Sequence, residues 1–123
     1  MNDMVINAIN SQIAEVYSPP RISAMAKKFG LEPGFALDIL INDENGKPWN
    51  FDDEAQRQKC KQKVRDEKPS MLVGSPMCTI FSTLQNLNRP KMGEAKWNAA
   101  WKYGLKHLLF AFELYEIQIS SGR

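Results

Sequence analysis

The sequence predicts an α/β chain built on a short parallel sheet, and three observations carry that prediction. Compact apolar runs at 13–17, 34–40 and 70–74 have strand length. Between them lie stretches with helical spacing, and Pro and Gly mark the joints. Strands alternating with helices through short turns imply βαβ units, hence parallel pairing with right-handed crossovers. The expected architecture is a sheet of three to four strands flanked by helices, with a long carboxy-terminal helix, in one domain spanning 1–123.

The elements follow in order. Met4, Val5, Ala8, Ile9 and Ile13 recur at helical steps and predict an opening helix over 3–12. "IAEVY" (13–17) is the first strand. It stops at "SPPR", where Ser18 can act as N-cap and Pro19 and Pro20 occupy a helix's first turn, where a missing N–H costs least. That helix ends at Gly30, a good residue just past a helix. "GFALDIL" (34–40) is a buried strand interrupted by one carboxylate, Asp38. Asn45-Gly46 marks a turn, and "PWNF" is a brief strand. Asp52 or Asp53 caps a helix that runs to about Lys68 and is closed by Pro69. "SMLVG" (70–74) is the next strand, and "TIFSTLQNLN" an irregular or short helical crossing. From Gly93 to Ser120, Trp97, Trp101, Leu105, Leu108, Phe112, Tyr115 and Ile119 form one apolar stripe on a long helix, for core or interface.

Composition narrows the function classes. With 123 residues, 43% apolar and 24% charged, the chain can bury one core and is not disordered. The net charge of +2 selects no partner. Basic character is local, in "RQKCKQKVR" (57–65), where Arg57, Lys59, Lys61, Lys63 and Arg65 form either a solvated helix face or a nucleic-acid patch. Cys60, Cys78 and the single histidine, His107, lack the spacing of a metal site. The apolar run 108–117 is too short for a membrane span and contains Glu113 and Glu116. A reducing cytoplasm with free thiols is the expectation.

Ligands on parallel sheets sit at the carboxyl ends of the strands. Ser18–Arg21, Asp38 and Ser75–Cys78 all follow or close expected strands, so they should gather on one edge. Within that edge, "SMLVGSPMCTIFS" (70–82) resembles the segment of DNA (cytosine-5) methyltransferases in which a strand ends in Gly-x-Pro-Pro-Cys and continues toward Phe-Ser. Gly74, Pro76, Cys78, Phe81 and Ser82 match, and Met77 replaces the second proline. "GFALDIL" resembles the second strand of class I S-adenosylmethionine-dependent methyltransferases. The chain also resembles methyltransferase-like reading frames of mobile or phage-related elements.

The resemblance implies a truncated Rossmann-like sheet equivalent to the amino-terminal half of such an enzyme. It implies S-adenosylmethionine as cofactor, with Asp38 on the ribose hydroxyls and Ser18, Arg21, Ser75 and Pro76 around the ligand. Cys78 would be the nucleophile that adds to a flipped-out cytosine, a role suited to a partly ionised thiol. The glycine-rich loop of the family is replaced here by Ser18-Pro19-Pro20-Arg21. The later strands and the family's glutamate general acid find no residues before "ISSGR", so catalysis by this chain alone is not expected.

Bland readings stand beside these. Cys78 is either a nucleophile or a small packing residue, and Asp38 either contacts a ligand or caps local backbone. Trp49 either stacks on a base or packs under the sheet. Cys60 is read as a structurally unimportant thiol, His107 as a satisfied surface or interface histidine, and Asp43, Glu44, Asp52, Asp53 and Glu54 as turn and cap acids. An edge position for "SMLVG" beside an apolar helix predicts a homodimer through the 93–120 helix and the sheet edge. The competing function is a non-catalytic accessory module that binds nucleic acid or protein.

Overall fold

The computed structural model describes residues 12–76, 79–81 and 86–123. The opening helix lies outside these residues apart from Gln12, which belongs to the first strand; Cys78 and residues 82–85 also lie outside them.

Strands β1 (Gln12–Val16), β2 (Glu32–Leu37) and β3 (Met71–Gly74) form a sheet in the order β2-β1-β3, with both pairings parallel. The helices are α1 (Ile22–Met25), α2 (Glu54–Glu67), α3 (Arg89–Met92) and the 27-residue α4 (Glu94–Ser120). This is the α/β architecture the apolar runs predict. From β1 the chain moves to one side for β2 and returns to the other side for β3. A topological switch therefore falls between β1 and β3, the place where open parallel sheets leave a crevice at their carboxyl ends.

Being central, β1 is buried on both faces, its one carboxylate, Glu15, included. Ala14 and Val16 join Leu37, Leu72, Cys60, Val64, Phe110 and Leu114 in the main core, which seals the sheet against α2 and α4. Residues 13 and 15 point the other way, and there Glu15 meets α1. Edge strand β2 begins two residues earlier and ends three earlier than "GFALDIL" suggests. Pro33 is tolerated there because an edge strand has a free side. Register slips between Ile13 and Glu15, and Gly34 allows the close approach: a Cβ on it would lie 2.8 Å from the Ile13 carbonyl oxygen. Beyond Leu37 the chain turns, leaving Ile39 and Leu40 exposed instead of buried.

Two further expectations are corrected. Ser18 does not cap the first helix: its hydroxyl donates to the Pro19 carbonyl, and the helix starts at Ile22. The carboxylate of Glu15 accepts instead from Arg21 N–H (3.0 Å), Ser23 N–H (2.8 Å) and the Ser23 hydroxyl (2.7 Å). A charged acceptor with three donors outcompetes a serine hydroxyl with one. The "PWNF" strand reduces to a single antiparallel bridge, Asn42 to Pro48, around the expected turn at Gly46 (φ +76°). Other signals hold as read. Gly30 closes the first helical segment in left-handed conformation, Asp53 caps α2 through Ala55 N–H, and α2 ends at Lys68 before Pro69.

Helix α4 carries two apolar stripes where the sequence suggests one. Trp97, Gly104, His107, Phe110, Ala111, Leu114 and Gln118 are buried. Trp101, Leu105, Leu109, Phe112 and Ile119 are exposed, Ile119 by 75%. Gly104 admits the 79–81 turn, since a Cβ there would sit 2.5 Å from Ile80, and Phe81 packs edge-on against Trp101.

Candidate functional site at the carboxyl edge of the sheet

Tyr17 follows β1 directly and has φ +62°, a left-handed conformation that a bulky residue adopts only when its surroundings demand it. Its N–H still bonds the Leu37 carbonyl, so the strand pairing continues while the side chain is redirected. The ring lies edge-on to Phe51, Phe110 and His107. Its hydroxyl sits 2.7 Å from His107 Nδ1.

His107 is anchored from the other side by Asp52, with Nε2 to Oδ1 at 2.8 Å. Lys106 Nζ (3.2 Å) and the Tyr103 hydroxyl (3.2 Å) also bond this carboxylate. Burial pushes Asp52 toward protonation, but the His107 and Lys106 hydrogen bonds and the Lys106 charge outweigh it and hold the carboxyl below its usual value. An ionised carboxylate only accepts, so His107 carries a proton on Nε2, and in the neutral imidazole Nδ1 accepts from the Tyr17 hydroxyl. Arg57 fixes the loop from behind, donating through Nη1 to the Phe51 and Asp52 carbonyls. Burial, the largest influence, raises the Tyr17 pKa well above its ordinary value, with Cys60 and Asp52 adding to it and Arg57 opposing it.

These groups border a hollow of about 340 Å³ lined by Tyr17, Asp38, Ile39, Trp49, Asn50, Phe51, Ser75, Tyr103 and His107. Tyr17, Asp38 and Ser75 follow β1, β2 and β3 respectively, so every strand delivers a residue to it. Its size and its mixture of aromatic wall and few polar groups are those of a small-molecule site. A wider, shallower depression between α2 and α4 is lined by Lys61, Arg65, Glu113 and Glu116; Lys61 and Glu113 there neutralise each other, and no strand end reaches it.

Of the residues singled out from sequence, Asp38 and Ser75 meet at this hollow. Asp38 is half-buried, and among the described residues its carboxylate accepts only from Leu40 N–H at 3.3 Å. Ser75 N–H bonds the Val16 carbonyl, extending the β1–β3 ladder by a step, and Pro76 follows it. Ser18 and Arg21 do not line the hollow. The backbone N–H groups of Arg21 and Ser23 are already taken by Glu15, so the start of α1 has its own internal anion. Cys78 lies outside the described residues.

The basic run is largely paired. Lys59 bridges Asp43 and Glu44, Lys61 pairs with Glu113, and Lys63 pairs with Glu67 one helical turn on. Arg65 has no ion pair among the described residues. Asp43, with its side chain 1% exposed, also accepts from Asn45 N–H, Lys47 N–H and Gln56, which makes it a turn acid as read. Cys60 is buried, and desolvation pushes its thiol up to about 12, away from reactivity despite the neighbouring lysines. Among the described residues no cluster could hold a metal ion and no helix is long and apolar enough to cross a membrane.

The residues missed from sequence are Tyr17, Phe51, Tyr103, Asp52 and His107. Asp52 was expected as a cap, but Asp53 takes that role and leaves Asp52 for the site. One signal was present: His107 falls three residues after Gly104 and seven before Leu114, on the buried face of α4. Comparison with protein-family models, curated proteins and solved structures returns no match for this chain.

Proposed function

We propose that the carboxyl-edge hollow binds an adenosyl compound, S-adenosylmethionine or a nucleotide, and that the chain is a methyltransferase-like binding module. The observation that carries this is the meeting of Asp38, Ser75 and Tyr17 from the ends of three parallel strands around one aromatic-walled hollow. A carboxylate with one weak backbone partner among the described residues suits a pair of ribose hydroxyls, and Trp49 and Phe51 offer an apolar wall for a purine. The sequence resemblance favours the sulfonium ligand. It also places Cys78 three residues beyond Ser75, as the candidate nucleophile toward a cytosine. The pairing of Lys59, Lys61 and Lys63 weakens the alternative of a nucleic-acid accessory on α2.

Thermal unfolding with S-adenosylmethionine, its demethylated product and ATP tests the reading. A ligand at a hundred times its Kd stabilises by about 2.7 kcal/mol, and Asp38→Ala should remove the shift while Cys78→Ala keeps it. No shift with any of the three at millimolar concentration overturns it. Salt-sensitive DNA binding without such a shift would support the accessory reading instead.

We further propose that two copies associate through the exposed stripe of α4. Along one flank of that stripe Lys102 and Lys106 precede Leu109, and Glu113 and Glu116 follow it. An antiparallel pair centred on Leu109 places Lys102 opposite Glu116 of the partner subunit, two side chains without an ion pair among the described residues. Trp101, Leu105 and Phe112 would be covered in the process. Sedimentation should show a dimer that Leu105→Asp dissociates; a monomer at all concentrations reached overturns it.

A further inference from the structure

The Tyr17–His107–Asp52 chain has the arrangement of an acid–base relay: a hydroxyl bonded to an imidazole, itself oriented by a carboxylate. Two features separate it from an ordinary buried network. Tyr17 and His107 both line the hollow, so the hydrogen bond between them stands at its wall. Tyr17 also has a strained left-handed backbone at the position from which its hydroxyl meets His107.

We propose that Tyr17, His107 and Asp52 form a proton relay that takes a proton from an O–H or N–H group of a ligand in the hollow. In the forward step the ligand's X–H bond breaks and its proton joins Tyr17 Oη. The phenol's own proton passes to His107 Nδ1, and the electron pair stays on X. The imidazolium is then stabilised by Asp52, which remains ionised, and the reverse transfer restores the starting state. Among the described residues, the charged and titratable groups around the relay are Lys106 and Tyr103 on α4, Arg57 and Cys60 on α2, Asp52 on the preceding loop, and Asp38, which lines the same hollow. Lys106 keeps Asp52 in the ionised form that orients His107. The relay does not depend on the ligand being an adenosyl compound.

Withdrawal of the phenol proton by His107 should make Tyr17 Oη a nucleophile without prior ionisation, and p-nitrophenyl acetate reads this directly. The hydroxyl attacks the ester carbonyl, its proton goes to Nδ1, and p-nitrophenolate leaves. Peptide mass spectrometry should find Tyr17 acetylated at least about tenfold faster than Tyr103 at neutral pH, well below the range where phenols ionise. Tyr17→Phe abolishes this modification. His107→Gln, checked for folding by circular dichroism, brings Tyr17 down to the rate of Tyr103, and Asp52→Asn lowers it while reversing the imidazole tautomer seen by nitrogen NMR. A Tyr17 rate that climbs only as phenols ionise above about pH 9, a rate matching Tyr103, or a wild-type His107 protonated on Nδ1 overturns the proposal. Fast Tyr17 acetylation without S-adenosylmethionine binding removes the adenosyl reading alone, and the opposite result removes the relay alone.

Discussion

Glu15 and Asp52 are both carboxylates held by the same small sheet, one buried and the other exposed at its rim, and they are used differently. Glu15 is 1% exposed, on the α1 side of β1, and its partners are two backbone N–H groups and the Ser23 hydroxyl. Asp52 lies on the rim, and its partners are the side chains of His107, Lys106 and Tyr103, two of which line the hollow. For each, burial alone would raise the pKa and hydrogen bonds overcome it, so both titrate below their ordinary values. Direction of shift therefore does not distinguish a structural acid from a functional candidate. The identity of the donors does: backbone donors consume a carboxylate in holding the fold, whereas side chains bordering a hollow can transmit its charge to a ligand.

The sharpest way to break the comparison is Glu15→Ala. It leaves three donors at the start of α1 without their acceptor and should cost about 3 kcal/mol, measured by urea unfolding. A loss below that of Tyr17→Phe would place the structural acid at the rim instead. Next, Gly34→Ala tests how tightly β2 is held against β1 beside Glu15. Its new methyl meets the Ile13 carbonyl, which is backbone and cannot turn aside, so about 2 kcal/mol of stability should be lost.

A pH series separates the two acids. The folded chain favours the ionised form of each, so their contribution is complete above the ordinary values of 4.5 for Glu15 and 3.8 for Asp52 and is lost as pH falls through the lower folded values. Unfolding free energy should stay flat from about pH 7 to 5 and fall below about pH 4. Glu15→Gln should flatten this decline more than Asp52→Asn. At the alkaline end the sign reverses. Tyr17 and Cys60 have raised pKa values, so their neutral forms stabilise the fold up to the unfolded values near 10 and 9, and stability falls above them.

Smaller still is Tyr17→Phe, which removes one hydrogen bond, leaves the aromatic packing and should cost about 1 kcal/mol while abolishing acylation at the site. The smallest effect belongs to Lys63→Ala. Its bond to Glu67 is an exposed pair within one helix, and the change in midpoint should lie near the limit of detection.

Much of the architecture was legible along the chain because it rests on local signals. The apolar runs locate β1 and β3 to within a residue, Gly30 ends the first helical segment, and Asp53 and Pro69 bracket α2. Asp38 and Ser75 were found by the same route, since each closes or follows a strand and parallel strands deliver their ends to one edge. Ser18 was misread because its cap was assigned from neighbours in sequence, while Glu15 reaches the helix across the strand. The stripe read on α4 is largely its uncovered side, with Trp97 its one buried member: periodicity records which residues are apolar, not which side the sheet will cover.

Residue order by itself determined the parallel α/β plan, the caps and turns, and the edge to which Asp38 and Ser75 belong, because each of these depends on groups only a few bonds apart or on strand direction. Only the tertiary structure decided that His107 would stand between Tyr17 and Asp52, partners 90 and 55 residues away. No local pattern encodes such a meeting. It requires α4 to cross the sheet at one particular height, and that height is set by how Phe110, Leu114 and the strand side chains fill the space between them.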